Sequence, residues 1–152
     1  MYWVSEKGNV TKKIRELTSY PLDDYVSFYL GCSFSFEDAL MKAGIELQHV
    51  VQKRNVSMFT TNIPCLSVGP FHCPMVVSMR PIPRELVEKA VIVTAVYDAV
   101  HGAPVHIGDP SVIGIDDVNV VNFGDSSDVG DLIPVFWTCG VTSSVSVRSA
   151  SK

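Results

Sequence analysis

The sequence predicts a mixed α+β (α/β) domain, a layered sheet with flanking helices, and a few observations carry that expectation. Continuous apolar runs bounded by turn residues read as buried strands at Val56–Thr61, Met75–Met79 and Ile133–Val141. Segments with acidic first turns and glycine stops precede them and read as helices, and a further short helix lies between them. The 152 residues are 47% hydrophobic and only 18% charged, which excludes disorder and leaves enough chain for one ordinary core.

Residues 1–19 are polar, with a turn at Lys7-Gly8-Asn9, and read as an edge hairpin or a tail. Pro21 precedes Asp23 and Asp24, acids suited to a helix first turn, and Tyr25, Val26, Phe28, Tyr29 and Leu30 would give that helix an apolar face up to Gly31. Ser35 and Asp38 have the spacing of a capping box, opening a second helix through Ala39, Leu40 and Met41 to a stop at Gly44. Pro83–Ala90 reads as a short helix leading into the β-branched run Val91–Val96. A loop rich in Gly, Pro and Asp then runs from His101 to Asp131, with apolar pieces at Val112–Ile115 and Val118–Val121. The domain proper is expected over residues 20–142, and residues 143–152 read as a Ser-rich tail.

The net charge of −4 hides an asymmetry. Residues 1–89 are nearly neutral, whereas Ala90–Val147 contains no Lys or Arg and seven acids, all Asp. Any one of these fits an Asx-turn or a cap, but as a set they call for a cation or a basic surface. The acidic pI of about 5.5 and the lack of a basic cluster exclude general nucleic-acid binding. Asn55–Met79 is uncharged and long enough to span a bilayer, but Pro64, Pro70 and Pro74 break it, so no membrane segment is expected. The first residues have neither a signal-peptide nor a transit-peptide composition. Cys32, Cys65, Cys73 and Cys139 form no CxxC or zinc-type spacing and read as free, mostly buried thiols.

Glycine-rich phosphate loops and HExxH are absent. Gly31-Cys32-Ser33-Phe34-Ser35 lacks the closing glycine of a nucleophile elbow and reads as a helix-capping turn. The informative stretch is His101-Gly102-Ala103-Pro104-Val105-His106-Ile107-Gly108-Asp109-Pro110. Its glycines and prolines exclude a helix, and only a turned loop would aim both histidines inward. His106 and Asp109 lie close enough in sequence to share one cation or one proton. The alternative is two loop histidines bonded to backbone.

The runs GCSFSFEDAL (31–40), NVSMFTTNI (55–63), VVSMRPI (76–82), HGAPVHIGDPSVIGI (101–115), FGD (123–125) and PVFWTCGVT (134–142) strongly resemble the D-glutamate cyclase family. The resemblance covers roughly Tyr20 to Thr142 in one register, and LTSYPLDDYVSFYLGCSFSFEDAL is most similar to the animal mitochondrial branch. The family usually reads NVPMY and GVTPQ where this chain has Asn55-Val56-Ser57-Met58-Phe59 and Gly140-Val141-Thr142-Ser143-Ser144. It also has further segments on both sides of these blocks, so the family domain is expected to be incomplete at both ends. The resemblance implies a hydro-lyase that converts D-glutamate to 5-oxo-D-proline and water in the mitochondrial matrix, on an α/β scaffold.

That chemistry needs a base for the substrate ammonium, and His101 or His106 is the candidate, with Asp109 as the partner of His106. Arg80 would grip a substrate carboxylate, its alternative being a salt bridge to an acid; Glu37 would take the ammonium, with Ser33 beside them. A divalent metal such as Mn or Mg on His106, Asp109 and Asp125 would activate the γ-carboxyl. Cys32 and Cys139 are candidate nucleophiles, but their apolar company favours inert packing. The alternatives are a non-catalytic fragment or isoform that at most binds the amino acid, and a metal-assisted lactam hydrolase. The high apolar content further suggests self-association, through core surfaces that missing flanks would cover.

Overall fold

A computed structural model describes residues 1–7 and 9–150. In chain order the elements are β1 (Tyr2–Glu6), β2 (Asn9–Ile14), α1 (Phe34–Lys42), α2 (Gln48–Val51), β3 (Ser57–Pro64), β4 (Pro74–Ile82), α3 (Val87–Ala95), β5 (His106–Ile107), β6 (Ile133–Thr138) and α4 (Val141–Ala150). Strands β1 and β2 form a separate hairpin, and the main sheet has the order β3-β4-β6-β5 with every neighbouring pair antiparallel. The expected mixed α+β architecture, a sheet with helices against it, is what the chain forms.

The period-2 alternation of β4 and β6 divides the core between two faces. On one face, Ile82, Val135 and Trp137 pack with Phe36 and Leu40 of α1 and Ala90 of α3. On the other, Phe59, Val77, Met79 and Phe136 are covered by Ile113 and Ile115, with Val118, Val121 and Val129 alongside. The long loop is therefore a structural layer, and its two apolar pieces are what seal it. A third cluster joins Val56, Met58 and Val76 to Phe123 and to Val141 and Val145 of α4. In the FGD run, Gly124 adopts φ +75°, and an added Cβ would lie 2.0 Å from the Val56 carbonyl oxygen, so only glycine lets the loop approach β3 this closely.

Several expected elements differ. No helix follows Pro21. A single 3-10 turn covers Leu22–Asp24, and Tyr25 is already extended. Tyr25, Val26, Phe28, Tyr29 and Leu30 are all exposed, and an apolar stripe with no surface to bury against does not sustain a helix. Helix α1 begins two residues earlier than a capping box at Ser35 would place it, with Ser33 at its N-cap, and it stops before Gly44 as expected. The helix expected to end at Ala90 starts at Val87 and runs through the β-branched residues to Ala95. Packing overrides propensity here: Ala90 and Thr94, one turn apart, are both fully buried on the sheet. Thr94 Oγ1 donates to the Ala90 carbonyl at 2.9 Å and accepts the Trp137 indole N–H at 3.1 Å. The expected tail is helical as α4 up to Ala150, and Ser151 and Lys152 lie outside the described residues. Among the described residues, no helix is long and apolar enough to cross a membrane.

Candidate active site

Strand β4 carries Ser78 and Arg80 to the face on which α1 lies, and α1 presents Glu37 from its first turn. Arg80 is completely buried. Its Nε donates to Glu37 Oε1 at 3.0 Å, and its Nη2 makes a second, shorter bond to the same oxygen. Nη1 donates to Ser78 Oγ at 3.0 Å and Nη2 to Ser33 Oγ at 3.1 Å. The guanidinium also lies over the rings of Phe36 and Trp137, at 5.2 and 5.5 Å. From the other side, His49 Nε2 reaches Glu37 Oε1 at 3.2 Å. Burial pushes the Glu37 carboxyl up, but the His49 hydrogen bond and the charge of Arg80 outweigh it and leave the group below its ordinary value.

Three residues expected to touch substrate thus converge, but on one another. Arg80 takes the salt-bridge alternative, with Glu37 as its acid, and the Ser33 hydroxyl accepts from the guanidinium. The network ties the N-cap of α1 to the middle of the sheet. It fixes the position of the Gly31–Ser33 turn, a positioning role.

That turn is one wall of a cavity of about 390 Å³. The cavity is lined by Gly31–Phe34 leading into α1, by Cys139–Val141 leading into α4, and by Asn55, Val56 and Met58. Two helices of nine and ten residues therefore begin at its walls, which makes it favourable to anionic groups. Cys139 lies at the wall with its thiol against Met58 Sδ at 3.4 Å, and burial pushes that thiol above its ordinary value. Cys32 is exposed, Cys65 and Cys139 are half-buried and Cys73 is buried, so the expectation of mostly buried thiols holds fully for Cys73 alone.

His101 stands beside this wall. Its Nδ1 is 3.0 Å from Thr138 Oγ1, on the residue preceding Cys139. Its Nε2 is buried and has no hydrogen-bond partner. Its backbone has φ +96°, in the left-handed region that a histidine rarely adopts and that costs about 1–3 kcal/mol. Burial lowers its pKa below the ordinary histidine value and Arg80 adds to that effect, while the Gly31 backbone acts against it. An added Cβ at Gly31 would lie 2.5 Å from Val100 Cγ1, so glycine is what lets the cavity wall pack against the segment carrying His101. A strained histidine held between Thr138 and the Gly31 backbone is the outlier that directs attention to this wall.

His106 does not share a face of the sheet with Arg80. His106 pairs with Phe136 in the ladder and its ring lies 5.7 Å from that of Phe136. Arg80 is opposite Val135, so His106 and Arg80 occupy opposite faces of the sheet. His106 Nε2 contacts the Asp109 backbone oxygen at 2.7 Å, while the Asp109 carboxylate accepts the Ser111 N–H at 3.0 Å and caps a 3-10 turn. Asp125 accepts the Asn55 N–H at 2.7 Å. His106, Asp109 and Asp125 are each engaged with backbone groups. Among the described residues, no three His, Cys, Asp or Glu side chains come together in a way that could hold a metal ion, so the expected donor set does not fit one.

Sequence reasoning missed His49, Ser78 and Thr138 altogether, and considered Cys139 only as a nucleophile. The signal for Thr138 lies in PVFWTCGVT, beside Cys139, and that for Ser78 in VVSMRPI, whereas no block marks His49.

Residues 26–152 match the D-glutamate cyclase family. The chain is similar to "Putative hydro-lyase YcsI" of Bacillus subtilis, 49% identical over 142 residues, 93% of this chain and 55% of that protein. A "Putative hydro-lyase" of Psychrobacter arcticus is 50% identical over 143 residues, 93% of this chain and 54% of its own. Another, of Corynebacterium urealyticum, is 50% identical over 147 residues, 96% and 56%. The chain spans about half the length of the curated relatives it matches.

Proposed function

The chain belongs to the D-glutamate cyclase family, and from that premise we propose that it carries a hydro-lyase site that closes D-glutamate to 5-oxo-D-proline with loss of water. The observation that supports this most is His101, strained, held by Thr138, with its ring against the Gly31 wall of a cavity at two helix N-termini.

In the tautomer whose Nδ1–H donates to Thr138 Oγ1, Nε2 presents a lone pair, and burial favours the neutral ring. The two helix N-termini receive the carboxylates of the folded substrate, which brings its amine against its own γ-carbon. His101 takes a proton from the ammonium, and the amine then attacks the γ-carboxyl carbon. The new C–N bond forms as one γ C–O bond breaks. Two protons leave nitrogen in all, and His101 passes both to the departing oxygen, which leaves as water. The Arg80–Glu37–His49 network holds the α1 turn still throughout.

Coverage of only about half of each relative favours a second reading, a piece that binds the amino acid without turning it over. Incubation with D-glutamate, followed by chiral chromatography for 5-oxo-D-proline and by thermal unfolding, separates the two. Product formation supports the cyclase reading. Thermal stabilisation without product overturns it in favour of the binding piece, and the absence of both contradicts both readings.

A further inference from the structure

The other pair of cysteines lies away from this site, at the turn between β3 and β4. The register of these strands shifts between Thr60 and Pro64, after which Pro64 pairs with Pro74. Cys65 and Cys73 continue that register and stand directly opposite each other, with the Cys65 N–H donating to the Cys73 carbonyl at 3.0 Å. Opposed residues in an antiparallel pair share a face, and at a hydrogen-bonded position their Cα atoms are about 5.5 Å apart, inside the window a disulfide requires. Beyond them, reciprocal backbone bonds between Val68 and Phe71 hold the turn closed. Leu66, Val68 and Phe71 are exposed at its tip, so small reagents reach it from solvent. Both cysteines are free.

We propose that Cys65 and Cys73 form a reversible disulfide, a redox clasp across the β3–β4 turn that exchanges with low-molecular-weight disulfides of the glutathione class. The half-buried Cys65 thiolate attacks one sulfur of the reagent and expels the first reagent thiolate. Cys73, 8% exposed, then attacks the Cys65 sulfur of the mixed disulfide and expels the second. Two electrons pass from the protein to the reagent, and the two cysteine protons end on the released thiols. Burial, and after it the neighbouring Cys73 thiol, push Cys65 above its ordinary pKa, so closure speeds up as pH rises.

The clasp also reaches the helix at the candidate cavity. Reduced Cys73 lies with its Sγ 3.6 Å from the Thr142 carbonyl oxygen. Thr142 Oγ1 accepts the Val76 N–H at 3.0 Å and contacts the Val76 carbonyl at 3.2 Å, in the first turn of α4. Oxidation removes the thiol donor of Cys73 from this junction.

Trypsin leaves both residues on one peptide, Asn55–Arg84, which contains neither Cys32 nor Cys139. The chain is equilibrated across a series of reduced-to-oxidised glutathione ratios, quenched with an alkylating agent, digested and weighed. The proposal expects this peptide to lose about 2 Da and take up no alkyl group as the ratio turns oxidising, and to recover on reduction. In the Cys73→Ser variant, Cys65 should instead retain a glutathione adduct. Alkylation of both residues at every ratio, a persistent adduct on wild-type Cys65, or a cross-link to Cys32 or Cys139 would overturn it.

Discussion

The Arg80 guanidinium and the Glu37 carboxylate, 43 residues apart in sequence, meet inside the protein with Nε 3.0 Å from Oε1. Ser33, Ser78 and His49 complete the enclosure around them. Such a pair adds little stability over a well-packed apolar core, but breaking it strands a charge where water cannot reach.

Replacing Glu37 with Gln should therefore destabilise the fold by about 3–5 kcal/mol, because Arg80 keeps its charge and loses its counter-ion. Urea unfolding of the variant against wild type measures this. A change below about 1 kcal/mol, the size of an exposed pair, would mean that solvent reaches Arg80.

Acid should weaken the protein in two steps. The lowered pKa of Glu37 contributes stability that is present above its ordinary value of 4.5 and is lost as pH falls through the lower folded value. His101 is also lowered, so the folded state favours the neutral ring. Its contribution is complete above the ordinary value of 6.5 and is lost as pH falls from there towards the folded value. Urea midpoints measured across this range should show both steps, and His101→Gln should lack the upper one. An unchanged upper step in that variant would assign it to another group.

Thr94→Val keeps the shape of the side chain but leaves the buried Trp137 indole N–H without its acceptor. The expected cost is about 1–3 kcal/mol by chemical denaturation. A neutral substitution would show that the indole finds another partner.

Phe28 is 77% exposed and Tyr29 fully exposed, within a run from Tyr25 to Leu30 that packs against little. We expect the chain to associate through this run, so that sedimentation velocity shows concentration-dependent species that Phe28→Ser with Tyr29→Ser suppresses. Identical sedimentation of the two proteins would place any association elsewhere.

Sheet strands were legible in the sequence because β3, β4 and β6 are buried on both faces and their apolar runs announce it. The helix through Val91–Thr94 was not, because its reason is the distant Trp137, which claims Ala90 and Thr94 on one helical face. Likewise, nothing local to Tyr25–Leu30 says that its apolar side chains stay exposed. At the site, residue chemistry singled out Arg80, Glu37, Ser33 and His101, and the fold brings the first three together. Residue chemistry could not see that these three would neutralise one another, since that depends on which face of β4 meets α1. Nor could spacing alone tell that β5 turns His106 to the opposite face from Arg80, leaving His101 alone beside the cavity.

The most direct test is kcat/KM for D-glutamate in wild type and His101→Gln, with folding of the variant checked by circular dichroism. Loss of a general base predicts a fall of about 10²–10⁴-fold with the fold intact. A folded His101→Gln that forms 5-oxo-D-proline at the wild-type rate would contradict the account.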